Sequence, residues 1–254
     1  MTFDVIAAAR RRTRRLLLVV AGTGVAIGAL VYPLGLYANS RLDDNALPAA
    51  TANTGRTSAS PVPSPVPSPV TVMLPADTTW TTVAGVALPV SATAGPLRRE
   101  HGLASGFVHT PAGAVLAAVH LLVNTTPQVG SAVFEPTLRD QVVGADAAAM
   151  REAVQADYRR LGGEAASGGP VASLPAALAG VRIPSFTHAA ARVDLLTVAV
   201  DAAGIARFAA TPVDVAWTGA DWALVAPPAG RWDGVVAALT PTQAASYPPL
   251  APGR

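Results

Sequence analysis

This 254-residue chain contains neither cysteine nor lysine. Without cysteine there is no disulfide, no thiolate metal site and no lipid attachment through a cysteine, so an exported domain must be held together by burial. All 18 basic residues are arginine, a bias that indicates a GC-rich coding sequence before it indicates chemistry. Hydrophobic residues make up 51% of the chain, which is ample material for a core.

The basic charge is confined to the first residues. Residues 1–15 contain five arginines against Asp4 and carry a net charge of +4, whereas the remainder carries −2. An isoelectric point of about 9.5 therefore does not describe a basic domain. We interpret the arginines as a membrane-orientation signal, and we expect no direct contact with nucleic acid.

An uncharged apolar run follows the arginines. Leu16–Ala38 would form about 34 Å of helix at a rise of roughly 1.5 Å per residue, which is enough to cross a bilayer. The arginines predict that residues 1–15 stay in the cytoplasm and that 16–38 is the transmembrane helix of a single-pass cell-membrane protein with its C-terminal domain outside. The competing interpretation is a cleaved signal peptide, but Leu36-Tyr37-Ala38 is a poor small-x-small site.

Two glycines in this run suggest self-association. Gly24 and Gly28 have the small-xxx-small spacing that packs transmembrane helices together. A homo-oligomer is therefore one expected partner arrangement, besides the membrane itself.

Residues 39–76 have the composition of a linker. Proline occupies every second position from Pro61 to Pro69, which fixes φ and removes amide donors, so we expect an extended polyproline II spacer. The alternative is a docking site for a proline-binding module. That reading would need a PxxP motif flanked by arginine, which is absent.

Residues 77–241 are predicted to form an extracytoplasmic domain, followed by a disordered tail over 242–254. Trp80–Pro96 is read as short strands or an extended arm. Thr110-Pro111 is a strong helix start, with a capping hydroxyl before a proline. A shorter helix is expected over Pro136–Val142.

A third helix and then strands complete the predicted domain. Asp146 is read as its cap, Met150, Val154, Tyr158 and Leu161 repeat at helical spacing, and Gly162-Gly163 should end it. Strands are then predicted over Arg192–Val200, Ile205–Thr211 and Val213–Trp217, with a turn over Asp201–Gly204. Gly219-Ala220 suits a type II′ hairpin that would place Trp217 opposite Trp222.

This order of elements defines the predicted fold class. It is α+β, with helices packed on one face of a curved antiparallel sheet. The order is similar to that of NTF2-like and cystatin-like cone folds.

Few side chains suggest chemistry. None of the four histidines, His101, His109, His120 and His188, is spaced like a metal ligand, and a structural hydrogen bond is the commoner role for His109 beside a helix cap. The strand carboxylates Asp194, Asp201, Asp214 and Asp221 are expected to be solvated charges rather than acid/base pairs. We therefore predict a protein that is not an enzyme, with no catalytic, metal-binding or cofactor-binding residues and no cofactor.

Several runs of sequence resemble a known group of proteins. They are Trp80, Gly85-Val86-Ala87-Leu88-Pro89, Gly95-Pro96, Gly106–Ala118, Phe134-Glu135-Pro136 and Gln141–Gly144. Over residues 80–160 they resemble an uncharacterised family of actinobacterial membrane-anchored proteins associated with integrative and conjugative elements. The layout of tail, span and outer domain also resembles that of bitopic NTF2-like scaffold subunits of type IV secretion channels.

The resemblance implies a role in DNA transfer. The first hypothesis is a non-enzymatic, membrane-anchored assembly or scaffold subunit of a conjugative, type IV secretion-like apparatus, whose partners are other membrane proteins of that apparatus. The second is an envelope-facing protein that binds a small ligand or a cell-wall component in an NTF2-like pocket. An envelope hydrolase is a third possibility without support from any motif.

Overall fold

The computed structural model describes residues 73–163 and 167–250. The predicted cytoplasmic tail, the predicted span at 16–38, the proline-rich run and residues 251–254 lie outside this part. Among the described residues, no helix combines the length and the apolar character needed to cross a membrane.

Ten strands and four α-helices make up the described part of the chain. In order they are β1 (Thr79–Val83), β2 (Val86–Val90), β3 (Arg98–Glu100), β4 (Leu103–Ser105), α1 (Pro111–Asn124), α2 (Ser131–Asp140), β5 (Val142–Val143), α3 (Ala147–Arg160), β6 (Ala176–Phe186), β7 (Ala190–Val200), β8 (Ala206–Trp217), β9 (Trp222–Val225), β10 (Ala237–Leu239) and α4 (Pro241–Ala244). The predicted α+β class is confirmed. The predicted arm over Trp80–Pro96 contains the hairpin of β1 and β2.

Helix α1 is the centre of the domain. It begins where predicted, because the Thr110 hydroxyl accepts a hydrogen bond from the Gly113 amide at 3.1 Å and Pro111 occupies the first turn. Every residue from Gly113 to Asn124 is buried. A helix that is apolar on all sides must be covered on all sides, so the sheet, α2 and the β1–β2 hairpin pack around it.

The prediction of a short helix over Pro136–Val142 is wrong in its bounds, since α2 begins five positions earlier at Ser131. Pro136 therefore lies inside the helix. A proline there removes one hydrogen bond, and burial of Phe134 and Leu138, each at roughly 1.5–3 kcal/mol, offsets that loss. Val142 and Val143 leave the helix and form β5.

Helix α3 matches its prediction closely. Met150, Val154 and Tyr158 are buried on one face, and Gly162 adopts φ = 71° just past its end. Asp146 does occupy the N-cap position, but its side chain makes no capping hydrogen bond. The helix therefore begins without a side-chain cap from Asp146.

The main sheet is mixed, where an antiparallel one was predicted. Its order is β5-β9-β8-β7-β6, with β10 paired to β8, and β5 runs parallel to β9. The parallel strand satisfies amides on the outer edge of β9: Leu224 donates to the Gln141 carbonyl and Ala226 to the Val143 carbonyl, both at 2.9 Å. Without β5 these amides would be left unpaired in the domain interior.

The two strands predicted over Ile205–Thr211 and Val213–Trp217 form one continuous strand, β8. Pro212 does not interrupt it, because β10 pairs with residues 208–210 and β9 with residues 215–217. Pro212 therefore lies opposite a gap on the outer edge of β8. A missing amide is tolerated where no neighbouring strand requires it.

The predicted β8–β9 hairpin is confirmed. Trp217 pairs with Trp222 across the strands, and their ring centroids are 5.4 Å apart in an edge-to-face arrangement. The Thr218 amide donates to the Asp221 carbonyl at 3.0 Å, and Gly219 has φ = 94°. Glycine supplies the positive φ that the first position of this turn requires.

Residues 242–250 differ from the disordered tail predicted over 242–254. Thr240 and Gln243 form a reciprocal capping box that starts α4. Beyond it, Tyr247 and Leu250 are 7% and 5% exposed. Prolines and small residues suggested disorder, but two large apolar side chains are enough to fix the segment against the sheet.

The sheet has two differently used faces. Ala191, Val193, Leu195, Val213 and Val215 point into the main core beneath α1. The opposite face carries a small second cluster of buried residues, formed by Leu196, Ala210, Ala244 and Tyr247. Arg182, Asp194, Arg192 and Asp214 lie on the same face.

Candidate functional site

Aromatic rings gather at one end of the sheet, where α1 begins and where the β6–β7 and β8–β9 turns meet. We call this group the apical cluster. It consists of His109, Phe186, His188, Trp217 and Trp222. The sequence predicted the tryptophan pair, but it carried no signal that brings His109 or His188 beside it.

His109 is the centre of the apical cluster. Its ring lies flat against Trp217, with a centroid distance of 4.0 Å and an interplanar angle of 4°. Trp222 meets it edge-on at 5.3 Å, and His188 does so at 5.2 Å. Stacked and edge-to-face pairs of this kind contribute about 0.5–1.5 kcal/mol each beyond burial.

Two hydrogen bonds fix the rings. His109 Nε2 lies 2.7 Å from the His188 carbonyl oxygen; a carbonyl only accepts, so Nε2 is the donor. Trp222 Nε1 donates to the Val108 carbonyl at 3.1 Å. The structural hydrogen bond expected for His109 is thus confirmed, although it joins the residue to a turn 79 positions away rather than to its helix cap.

Asp221 ties the apical cluster to the loop before α1. Its carboxylate accepts from the Gly106 amide at 2.6 Å, from Phe107 at 3.0 Å and from its own neighbour Trp222 at 2.9 Å. The expectation of a solvated charge is wrong for this residue. Gly106 and Phe107 lie more than 110 positions away along the chain, so no local pattern could have identified these contacts.

His120 is buried within α1 and is 2% exposed. Its Nε2 donates to the Pro89 carbonyl at 2.8 Å. Burial lowers the pKa of His120 to about 4, the hydrogen bond to Pro89 opposes that shift, and the charge of Arg99 adds to it. The ring is therefore neutral at pH 7 and joins α1 to β2.

Two ion pairs lie on the outer face of the sheet. Arg182 approaches Asp194 at 3.6 Å and Arg192 approaches Asp214 at 3.7 Å, each pair being directly opposite across neighbouring strands. Burial raises the pKa of Asp194, while Arg182 and Arg192 act in the opposite direction. These carboxylates are therefore balanced by arginines rather than by water alone.

The fourth predicted carboxylate, Asp201, organises the β7–β8 turn. It accepts hydrogen bonds from the Ala203 and Ile205 amides at 2.9 Å and pairs with Arg207 at the same distance. The bond from Ile205, followed by the bond from Arg207, holds the pKa of Asp201 below its usual value. This arrangement stabilises the turn that was predicted at Asp201–Gly204.

Large apolar side chains are exposed beside that turn. Val200 is 68% exposed and Ile205 is 53% exposed. We call these two residues the hairpin tip. Strand β7 runs from Ala190, beside the apical cluster, to Val200 at the tip. These ten residue steps span about 33 Å at roughly 3.3 Å each. The sequence alone does not indicate this site, because two apolar residues that flank a turn are typical of ordinary strand ends.

The remaining histidine, His101, is exposed and has φ = 53° in the turn between β3 and β4. Across residues 73–163 and 167–250, no three His, Asp or Glu side chains come together as a group that could hold a metal ion. The prediction of no metal and no cofactor stays a prediction for the whole chain.

The chain folds into a small α+β domain in which His109, His120 and Asp221 join parts that are distant along the sequence. A family model for a domain of unknown function, DUF8175, matches residues 42–246. The chain belongs to this family. The match is considerably longer than the expected resemblance over 80–160, and it begins soon after the predicted span. No curated protein and no solved structure matches the chain.

Proposed function

We propose that this chain is a membrane-anchored assembly subunit of a conjugative DNA-transfer apparatus of the type IV secretion kind, and that it acts through protein contacts rather than catalysis. Within this proposal the chain is single-pass, its first 15 residues are cytoplasmic, and the DUF8175 domain stands outside the membrane. Its partners are other membrane proteins of the apparatus. The actinobacterial origin and the association with conjugative elements are part of the same proposal.

The exposed apolar side chains of the hairpin tip support a role in binding other proteins. Val200 and Ile205 are both exposed, one on each side of the β7–β8 turn at one end of the sheet. The first described residues are fixed near the opposite end: Asp77 binds Ser91 and Thr93, and Ala94 in turn accepts from Val108 beside His109. A tether arriving at the apical end would leave the tip pointing away from the membrane.

The use of the titratable groups supports a structural rather than a catalytic domain. His120 is held neutral in the core, Asp221 accepts hydrogen bonds from three backbone amides, and Asp194 is balanced by arginine. A general acid or base needs a free position within reach of a substrate. These side chains are instead bound to other parts of the domain.

We also propose that the helices and the curved sheet form an NTF2-like or cystatin-like cone. Support comes from a long central helix that lies against β7, β8 and β9. Scaffold subunits and ligand binders both use such cones, so the cone alone does not choose between them. The filled interface beneath α1, where Val193, Leu195 and Val213 are fully buried, favours the scaffold.

The test uses the absence of native cysteine. A single cysteine introduced as Val200→Cys or Ile205→Cys in the full chain can be cross-linked in intact membranes, and the attached proteins identified by mass spectrometry. We expect membrane proteins of a transfer apparatus. Glu152→Cys, on the exposed face of α3, is the matched control and should not capture the same proteins.

A functional measurement completes the test. The double variant Val200→Asp, Ile205→Asp should lower the frequency of DNA transfer from donor cells by at least about tenfold, because it places charge where apolar side chains would be buried against a partner. Arg151→Asp, which also adds a negative charge at an exposed position, should not. Unchanged transfer with the charged tip, at normal protein abundance, would remove the proposal. Capture of cell-wall enzymes alone would favour the ligand-binding alternative.

A further inference from the structure

The outer edge of β6 is covered by the end of the same chain. Strand β6 is the terminal strand of the main sheet, and residues 247–250 run antiparallel along part of it. We call this segment the strap. The Val181 amide donates to the Pro248 carbonyl at 2.9 Å, the Leu250 amide donates to the Ala179 carbonyl at 3.1 Å, and Gly180 pairs with Pro249 between them.

The strap crosses from one face of the sheet to the other. Tyr247 packs on the outer face against Leu196 and Ala210, whereas Leu250 joins the main core. Arg182 lies over the Tyr247 ring at 3.9 Å and donates to its hydroxyl at 2.7 Å. The strap is therefore anchored by one side chain on each side of the edge.

Gly180 is shaped for this contact. A Cβ atom at that position would lie 2.8 Å from the Pro248 carbonyl oxygen and 2.9 Å from Tyr247 Cβ. Its nearest neighbour within the sheet, Leu196, would remain at an ordinary 3.4 Å. A side chain at residue 180 thus excludes the strap without excluding the β6–β7 pairing.

The strap is a poor strand in its own right. Pro248 and Pro249 have no amide hydrogens, so the strap presents no continuous ladder to a further strand. Strand β6 is different, because only Pro184 among its eleven residues lacks an amide. An uncovered edge of this length is a template for pairing with another strand.

We propose that the β6 edge at Ala179–Val181 is a self-association surface, that its partner is the same edge of a second copy of this chain, and that the strap keeps it closed. Antiparallel pairing of two identical edges is isologous, since each copy offers the same residues to the other. The second copy also offers the Val181 amide and the Ala179 carbonyl that the strap now occupies. The proposal stands on these contacts and does not require a role in DNA transfer.

Two variants release the strap in different ways. One is the chain truncated after Ser246, which removes the strap. Its matched control is truncated after Leu250 and so loses only the residues beyond the strap. The other is Gly180→Ala in the full-length chain. The molar mass of each purified chain in detergent is measured by light scattering after size-exclusion chromatography, and circular dichroism reports the folded content.

Both release variants should associate at least about tenfold more tightly than the unaltered chain, and the control ending at Leu250 should match the unaltered chain. Val181→Pro in the chain ending at Ser246 removes the outward amide and should return the mass to that of the unaltered chain. Unchanged mass in a folded release variant would overturn the proposal. Association that persists with Val181→Pro would do so as well, because it would not use the β6 edge.

Discussion

Replacing Asp221 tests how the apical end is held together. The Asp221→Ala variant removes three charge-assisted hydrogen bonds and leaves the amides of Gly106 and Phe107 without their partners. The Asp221→Asn variant keeps the shape of the side chain but puts an amide nitrogen in place of one carboxylate oxygen that accepts a hydrogen bond. Comparing the two separates the loss of shape from the loss of acceptors.

The expected loss of stability follows from the strength of hydrogen bonds to a charged group. A hydrogen bond to a charged group contributes about 1.5–3 kcal/mol, but the three share one carboxylate that is partly exposed, so they do not add. We expect Asp221→Ala to lower the free energy of unfolding by about 3 kcal/mol. Asp221→Asn should lower it by about half as much, because one of its two oxygens is retained.

Urea unfolding followed by tryptophan fluorescence is the assay. Trp217 and Trp222 lie beside the altered carboxylate and report on it directly. With an m-value of about 2 kcal/mol/M, the alanine variant should shift the urea midpoint down by about 1.5 M at constant slope. Glu152→Ala on exposed α3 is the control. A shift for Asp221→Ala that is no larger than for this control would refute the argument.

Two further predictions concern the core. Thr211 is fully buried and its hydroxyl, in the part of the chain that the structure describes, has no hydrogen-bond partner, so Thr211→Val should raise the free energy of unfolding by about 1 kcal/mol; a loss in urea titration would contradict this. Because the pKa of His120 is depressed to about 4 when folded, against 6.5 as its ordinary value, the unfolded chain binds more protons and stability should fall as pH drops from 6.5 to 4, by about 3 kcal/mol. Measuring the free energy of unfolding at several pH values would show this dependence, and His120→Leu should weaken it. The same pH dependence in the variant and in the unaltered chain would contradict the role assigned to His120.

The parts of the fold that the sequence predicts are those decided locally. The cap at Thr110, the buried stripe of α3 and the glycine turn between Trp217 and Trp222 each depend on neighbours within a few residues. The fold class follows from them. Gly162, which ends α3, belongs to the same group.

The parts that the sequence did not predict are decided by distant contacts. Strand β5 exists because β9 has amides to satisfy, and Pro212 is tolerated because β9 and β10 leave a gap opposite it. The strap is held by Gly180 and Arg182, 65 or more positions before it. Composition alone predicts none of these contacts, and a proline-rich end therefore favours a prediction of disorder.

The candidate sites show the same division. The sequence named each of the histidines and strand carboxylates, but their roles depend on partners brought together by the fold. Asp221 was expected to face water and instead binds a loop that precedes it by more than 110 residues. The hairpin tip could be recognised only once the exposure of Val200 and Ile205 was known.

The direction of the strands has a mechanical consequence. Between the apical cluster and the hairpin tip, β7 and β8 are paired over their whole length, with eleven residues of β7 opposite eleven of β8. Tension applied between a tether at one end and a bound partner at the other would pull along these strands, so that many backbone hydrogen bonds resist together in shear. The same sheet pulled sideways from β6 would open one bond at a time. A domain built this way can transmit force along its length.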